Sequence, residues 1–216
     1  MSVDVWAAWP TISPMLSRPQ VEKWRELGYK VAVLVNPPFG PEDFERADMV
    51  IVQEEWTGFP VAANVLCLEA PGDVVVIVGT DIDPDTSRTA QELGGRFLER
   101  FPDLCGVIQP TGDEYGEVQS CAVSPWIGRG FIEKAYGGRG PYWPGYFHYF
   151  CDRELQAKAQ AMGAFEQWPQ VIQYHRHWQR EAQPRRPRHL RTAKRLHSRD
   201  RAIFESRQAE GFPDGR

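Results

Sequence analysis

The chain reads as an α/β protein built on a largely parallel sheet. Two observations carry that reading. Runs such as KVAVLV at 30–35 and DVVVIV at 73–78 are apolar at nearly every position, as strands buried on both faces require. Segments with helix punctuation alternate with those runs, and strand–helix alternation is the signature of the α/β class. The length of 216 residues, with 42% hydrophobic and 25% charged, suits one domain or one domain with an appendage. That composition excludes collagen, coiled coil and wholesale disorder.

The elements follow in order. Val3 to Ala8 is a short apolar strand. Arg18 to Leu27 is a helix, with Pro19 near its start and Gly28 just beyond its end. Lys30 to Val35 is the second strand, closed by Asn36-Pro37-Pro38, and Asp48 to Val52 the third. Pro60 to Glu69 is a helix with Val61, Val65 and Leu68 on one stripe. Asp73 to Val78 is the fourth strand, Thr86 to Phe101 the third helix and Leu104 to Gln109 the fifth strand. Gly112 to Tyr149, rich in Gly, Pro and aromatics, reads as loops around a cleft. Asp152 to Met162 is a helix stopped by Gly163, and Val171 to His177 a strand. We therefore divide the chain into a domain over 1–182 and a basic C-terminal arm over 183–216, extended and then helical from about His189 to Glu205.

Charge is distributed unevenly. Between Arg176 and Arg201 stand nine arginines and one lysine against Glu181 and Asp200, a net of +8 in a chain whose total is −4. An acidic body with a basic segment reads either as a solvated tail or as a phosphate-binding arm. Four widely spaced cysteines without a CxxC argue against a zinc knuckle and point to a reducing cytoplasm. The segment MSVDVWAAWP carries an acid where a signal peptide would be basic, and no apolar run approaches membrane-spanning length, so no membrane partner is expected.

Sheets of this class bind ligands beyond the carboxyl ends of their strands. Those ends carry Trp9-Pro10-Thr11, Asn36, Gln53-Glu54 and Gly79-Thr80-Asp81-Ile82-Asp83. Asp81 and Asp83 at the mouth of a buried strand repel each other, and a divalent cation such as Mg²⁺ or Mn²⁺ relieves that repulsion. The plainer alternative is that both acids turn the chain and cap the next helix. Asp152-Arg153-Glu154-Leu155 opens a helix, where an acid either complements the dipole or acts as a general base. In Tyr174-His175-Arg176-His177-Trp178, strand geometry puts His175 and His177 on one face, as metal ligands or as surface histidines.

In this order, a strand, DxD, a Gly/aromatic loop, a D-x-E-L helix and H-x-H, the residues resemble the GT-A glycosyltransferases, specifically the family 2-like inverting enzymes. GVIQPTGD, SPWIGRGF, YGGRGPYWPGYFHYFCDREL and YHRHW together resemble small glycosyltransferases of tailed bacteriophages, over roughly Val3 to Trp178. The resemblance implies a GT-A-like fold and a UDP-sugar donor. Pro10, Thr11 and Asn36 would line the base and ribose pocket, and Asn64 would meet the nucleotide. Asp81 would face ribose or metal, and Asp83 would bind the Mn²⁺ or Mg²⁺, with His175 or His177 completing its shell. Asp152 matches the second acid of the family's Glu-Asp base motif. Cys151 stands at the first position, which leaves the choice between Asp152 and Glu154 open.

Phage enzymes of this type glycosylate modified DNA bases such as 5-hydroxymethylpyrimidines, so the resemblance also implies a DNA acceptor in the cytoplasm of a bacterial host. Arg185, Arg186, Arg188, Arg191, Lys194 and Arg195 would contact phosphates without reading sequence. Trp126, Arg129 and Gly138 would lie at the acceptor. Trp126, Tyr136, Tyr142, Trp143 and Tyr146 could stack on a flipped base, or merely pack their loop. The competing functions are transfer to a polysaccharide or other non-DNA acceptor, and non-enzymatic nucleic-acid binding. A nucleotidyltransferase is disfavoured because WPTISPMLSRP, after the first strand, lacks the glycines that would hold a triphosphate.

Overall fold

The computed structural model describes residues 2–177, 180 and 189–214. Seven strands form one sheet in the order β3-β2-β1-β4-β7-β6-β8. They are β1 (Val5–Pro10), β2 (Lys30–Val35), β3 (Met49–Val52), β4 (Val74–Ile77), β6 (Val107–Pro110), β7 (Trp126–Gly128) and β8 (Phe165–Trp168). All pairings are parallel except those of β7, which runs antiparallel to both β4 and β6. The class expected from sequence, α/β with a mostly parallel sheet flanked by helices, is the class observed.

Side-chain alternation divides the core into two layers. Trp6, Ala8, Leu34, Val75 and Ile77 point to one face, beneath α2 (Phe59–Glu69) and α6 (Cys151–Ala161). Val5, Ala7, Trp9, Val31, Val33, Val74 and Val76 point to the other, beneath α1 (Pro14–Glu26) and α3 (Ala90–Arg100). Because both faces are covered, the strands are apolar throughout rather than alternating.

Several expected elements are corrected. The third helix begins at Ala90, not Thr86, because Thr89 and Glu92 form a capping box. The first begins four residues earlier than expected, with Pro14 at its N-terminal position. The stretch read as loops contains β7 and α5 (Arg129–Lys134), besides the short helix α4 (Gly116–Ser120). The strand expected over Val171 to His177 shrinks to β9 (Tyr174–His175). It leaves the main sheet and pairs antiparallel with β5 (Ile82–Asp83).

The C-terminal helix α7 (His189–Ala209) sets an apolar and ionic face against the body. Ala193 and Asp200 are buried, Phe204 stacks on Phe150, and Arg207 reaches Glu154. Its outward positions Lys194, Arg195, Arg199 and Arg201 are exposed. Arg185, Arg186, Arg188 and the side chain of Arg191 lie outside the described residues.

Candidate active site

Strand order fixes where a ligand can sit. From β1 the chain builds outward through β2 and β3, and from β4 outward to β8. The switch point therefore lies between β1 and β4, and the crevice outside their carboxyl ends is the preferred ligand site of an open α/β sheet. Pro10 ends β1 and Thr11 follows it, Asn36 follows β2, and Gly79 to Asp83 follow β4. Helix α6 reaches the same edge. It runs directly into β8, which is parallel to β6, so its first turn, with Asp152, starts at the carboxyl side.

The pairing of β5 with β9 sets the two acids beside the two histidines. Ile82 lies opposite His175 and Asp83 opposite Tyr174. His175 turns Nε2 to Asp81 Oδ2 at 3.4 Å, while its Nδ1 is buried without a hydrogen-bond partner among the described residues. Asp81 keeps 45% of its side chain accessible. A Cβ on Gly79 would come within 2.5 Å of Asp81 Oδ1, so glycine there leaves room for the carboxylate to fold over the strand end. Burial pushes the Asp81 carboxyl upward, but the hydrogen bond and charge of His175 outweigh it and hold it below its ordinary value. His177 packs against His175 and hydrogen-bonds Tyr115 through Nδ1 at 2.7 Å.

Asp83 has a different environment. Lys23 Nζ lies 2.7 Å and Gln20 Nε2 3.0 Å from its Oδ1, and Arg176 Nε lies 3.1 Å from its Oδ2. Burial opposes ionisation here too, and these partners overcome it. Two cations already neutralise this carboxylate, so the metal role expected of Asp83 does not fit its surroundings. Among the described residues no three His, Cys, Asp or Glu side chains converge to hold an ion. Asp81 with His175 offers one carboxylate and one imidazole, a donor pair closer to the needs of Mn²⁺ than of Mg²⁺, whose usual ligands are all oxygens.

Of the two candidate bases, only Asp152 is reachable. Glu154 is 0% exposed. It accepts from Arg207 Nη2 at 2.7 Å and from the hydroxyls of Tyr136 and Tyr146, each at 2.6 Å. Asp152 is half-buried, with Cys121 Sγ donating to its Oδ2 at 3.0 Å.

Other expected contacts are internal supports. Trp126 is 0% exposed, at the start of β7, and donates to Gln173 Oε1. Tyr136, Tyr142 and Tyr146 are buried as well, leaving Trp143 half-buried beneath Arg207. These rings are core and are not presented for stacking on a base. Arg129 is spent on the carbonyls of Cys67, Ala70 and Gly72, capping the end of α2. Gly138, at φ +79°, serves a turn. Asn64 is buried and exchanges two hydrogen bonds with the backbone of Tyr142. The Thr11 hydroxyl is buried against Ser13 and Ser17, and Asn36 binds the Gln53 carbonyl.

Asp113, not singled out from sequence, also belongs to this edge. It follows β6, is buried, pairs with Arg180 at 2.7 Å and accepts from the His175 backbone N–H at 2.8 Å. Its position beyond a strand's carboxyl end is the signal that sequence offers.

No protein-family model and no curated protein matches the chain.

Proposed function

We propose that the protein is an inverting glycosyltransferase of GT-A-like architecture. It moves a sugar from a UDP-sugar to a hydroxyl acceptor, a 5-hydroxymethylpyrimidine base in DNA. One observation carries the reading: the pairing of β5 with β9 joins Asp81 and His175 beside the β1/β4 switch point, at the edge where the helix bearing Asp152 begins. An acidic pair alone is compatible with simple chain turning. An ionised, accessible carboxylate next to an imidazole, on the edge that carries a reachable second acid, favours chemistry.

In this reading Asp81 and His175 would hold Mn²⁺ or Mg²⁺ against the donor diphosphate. When bound, the metal would offset charge developing on that leaving group. Asp83 keeps Lys23 and Arg176 at the crevice wall. Asp152 takes the proton of the acceptor hydroxyl, whose oxygen attacks the anomeric carbon from the face opposite the diphosphate. The bond to the diphosphate oxygen breaks in an oxocarbenium-like transition state, and the anomeric centre inverts.

The exposed Lys194, Arg195 and Arg199 favour a DNA acceptor over a neutral one. They sit on a helix docked to the loop before Asp152, through Asp200 accepting from the N–H groups of Phe147, His148 and Tyr149. No helix among the described residues is long and apolar enough to cross a membrane, so nothing here favours a membrane-anchored acceptor.

The test is incubation with Mn²⁺, a panel of UDP-sugars, and DNA containing either 5-hydroxymethylcytosine or cytosine, read by nucleoside mass spectrometry. The expected product is a glycosylated nucleoside from the hydroxymethylated DNA only. No transfer from any donor to either DNA would overturn the DNA-acceptor reading, and absence of any sugar-nucleotide turnover would overturn the transferase.

A further inference from the structure

Asp152 opens α6 with no ion pair among the described residues; its hydrogen-bond donors are neutral. Oδ1 accepts from the Arg153 backbone N–H at 2.9 Å, and Oδ2 accepts from Cys121 Sγ at 3.0 Å. Cys121 is buried and follows α4. Its segment is fixed to the sheet edge: Gln119 Nε2 donates to the carbonyl of Thr111, and the Gln119 carbonyl accepts from Gln167 Nε2. Val118 and Ala122 on either side are buried in the core. The thiol is therefore delivered by a rigid strut that ends at the carboxyl side of β6, independently of the helix that bears the carboxylate.

We infer that Cys121 is the positioning residue of the base, its thiol fixing Oδ2 of Asp152 so that the carboxylate meets the acceptor hydroxyl in one orientation. The inference rests on the transferase reading. A thiol suits this task chemically. It is a weak, neutral donor, so it orients the carboxylate without quenching its basicity as an ammonium or guanidinium would. Each carboxylate oxygen has more than one acceptor direction, so Asp152 retains capacity for the incoming proton while both present bonds hold. Burial and the adjacent Asp152 charge push the Cys121 thiol well above its ordinary value, which keeps it protonated as the donor.

Two measurements test the inference. The first is the steady-state kinetics of Cys121→Ala and Cys121→Ser, with melting temperatures confirming that both fold. Loss of the contact that orients the base in Cys121→Ala should lower kcat about tenfold, with KM for the donor sugar unchanged. Cys121→Ser keeps a donor and should restore kcat. The second needs no activity: the infrared S–H band of Cys121, isolated by difference against Cys121→Ser, should shift when Asp152→Ala removes the acceptor. An S–H band indifferent to Asp152→Ala overturns the inference, whatever the activity. A responsive band with an unchanged kcat in Cys121→Ala also overturns it, reducing the contact to packing. Absence of transfer in the wild type, with a responsive band, instead brings down the transferase reading on which the role of Cys121 depends.

Discussion

Two carboxylates, Asp83 at the crevice and Glu154 inside α6, each meet cations, and their settings differ. Asp83 keeps 21% of its side chain accessible and joins α1, β5 and the segment after β9 through Lys23, Gln20 and Arg176. Glu154 is sealed, sharing Arg207 and two tyrosine hydroxyls. The first group borders the candidate ligand edge and leaves Asp81 beside it accessible. The second locks the C-terminal helix to the helix that carries Asp152. The contrast teaches that an acid's burial, rather than its motif, separates the candidate site from the scaffold.

The comparison breaks first at Asp152. Asp152→Asn keeps the shape but cannot accept a proton, so kcat for sugar transfer should fall by about 10²–10⁴-fold with donor affinity retained. Steady-state kinetics with calorimetric UDP binding check this. Glu154→Gln, by contrast, should act through stability. Next in size is Arg207→Ala, which strands the buried Glu154 charge and should cost about 3–5 kcal/mol in denaturant unfolding. An unchanged midpoint would mean that α7 is not anchored as described.

That anchoring alters how the basic segment must be probed. Cutting the chain before α7 removes Asp200 and Arg207 from the body and confounds binding with folding. Charge reversal on the outward face avoids this. Lys194→Glu with Arg195→Glu should weaken DNA binding and shrink its log–log salt slope by about 0.9 for each phosphate no longer neutralised, with the melting temperature unchanged. An unaltered slope would remove the support that this face gives to a DNA acceptor.

Much of the sheet is legible in the sequence because burial on both faces writes itself into residue choice: KVAVLV at 30–35 coincides with β2. β8 is not, since Phe165–Trp168 lies at the sheet edge with only Trp168 buried and carries no apolar run. Trp126 escapes the pattern because a three-residue central strand amid Gly and Pro has no periodicity to display. At the site, the chemistry of Asp81 and His175 anticipates their adjacency. Nothing local anticipates the neutralisation of Asp83, because Lys23 is 60 residues away, or Arg207 facing Glu154 across 53 residues. Local pattern cannot report which distant charge a carboxylate will meet.

The smallest expected effect is on pH. Lys23, Gln20 and Arg176 outweigh burial and hold the Asp83 carboxyl below its ordinary value of 3.8. A depressed carboxyl contributes stability above that value and loses it as pH falls through the lower native one. The stability gap between wild type and Asp83→Asn should thus be full near neutrality and close progressively below about pH 4. Unfolding curves across that range test it.

The assignment of the metal site to Asp81 rather than Asp83 is tested most directly by Mn²⁺ binding in the presence of UDP, followed by paramagnetic resonance, in the wild type, Asp81→Asn and Asp83→Asn. The wild type should bind the ion, Asp81→Asn should lose it, and Asp83→Asn should retain it. Retained binding in Asp81→Asn together with loss in Asp83→Asn would contradict the assignment.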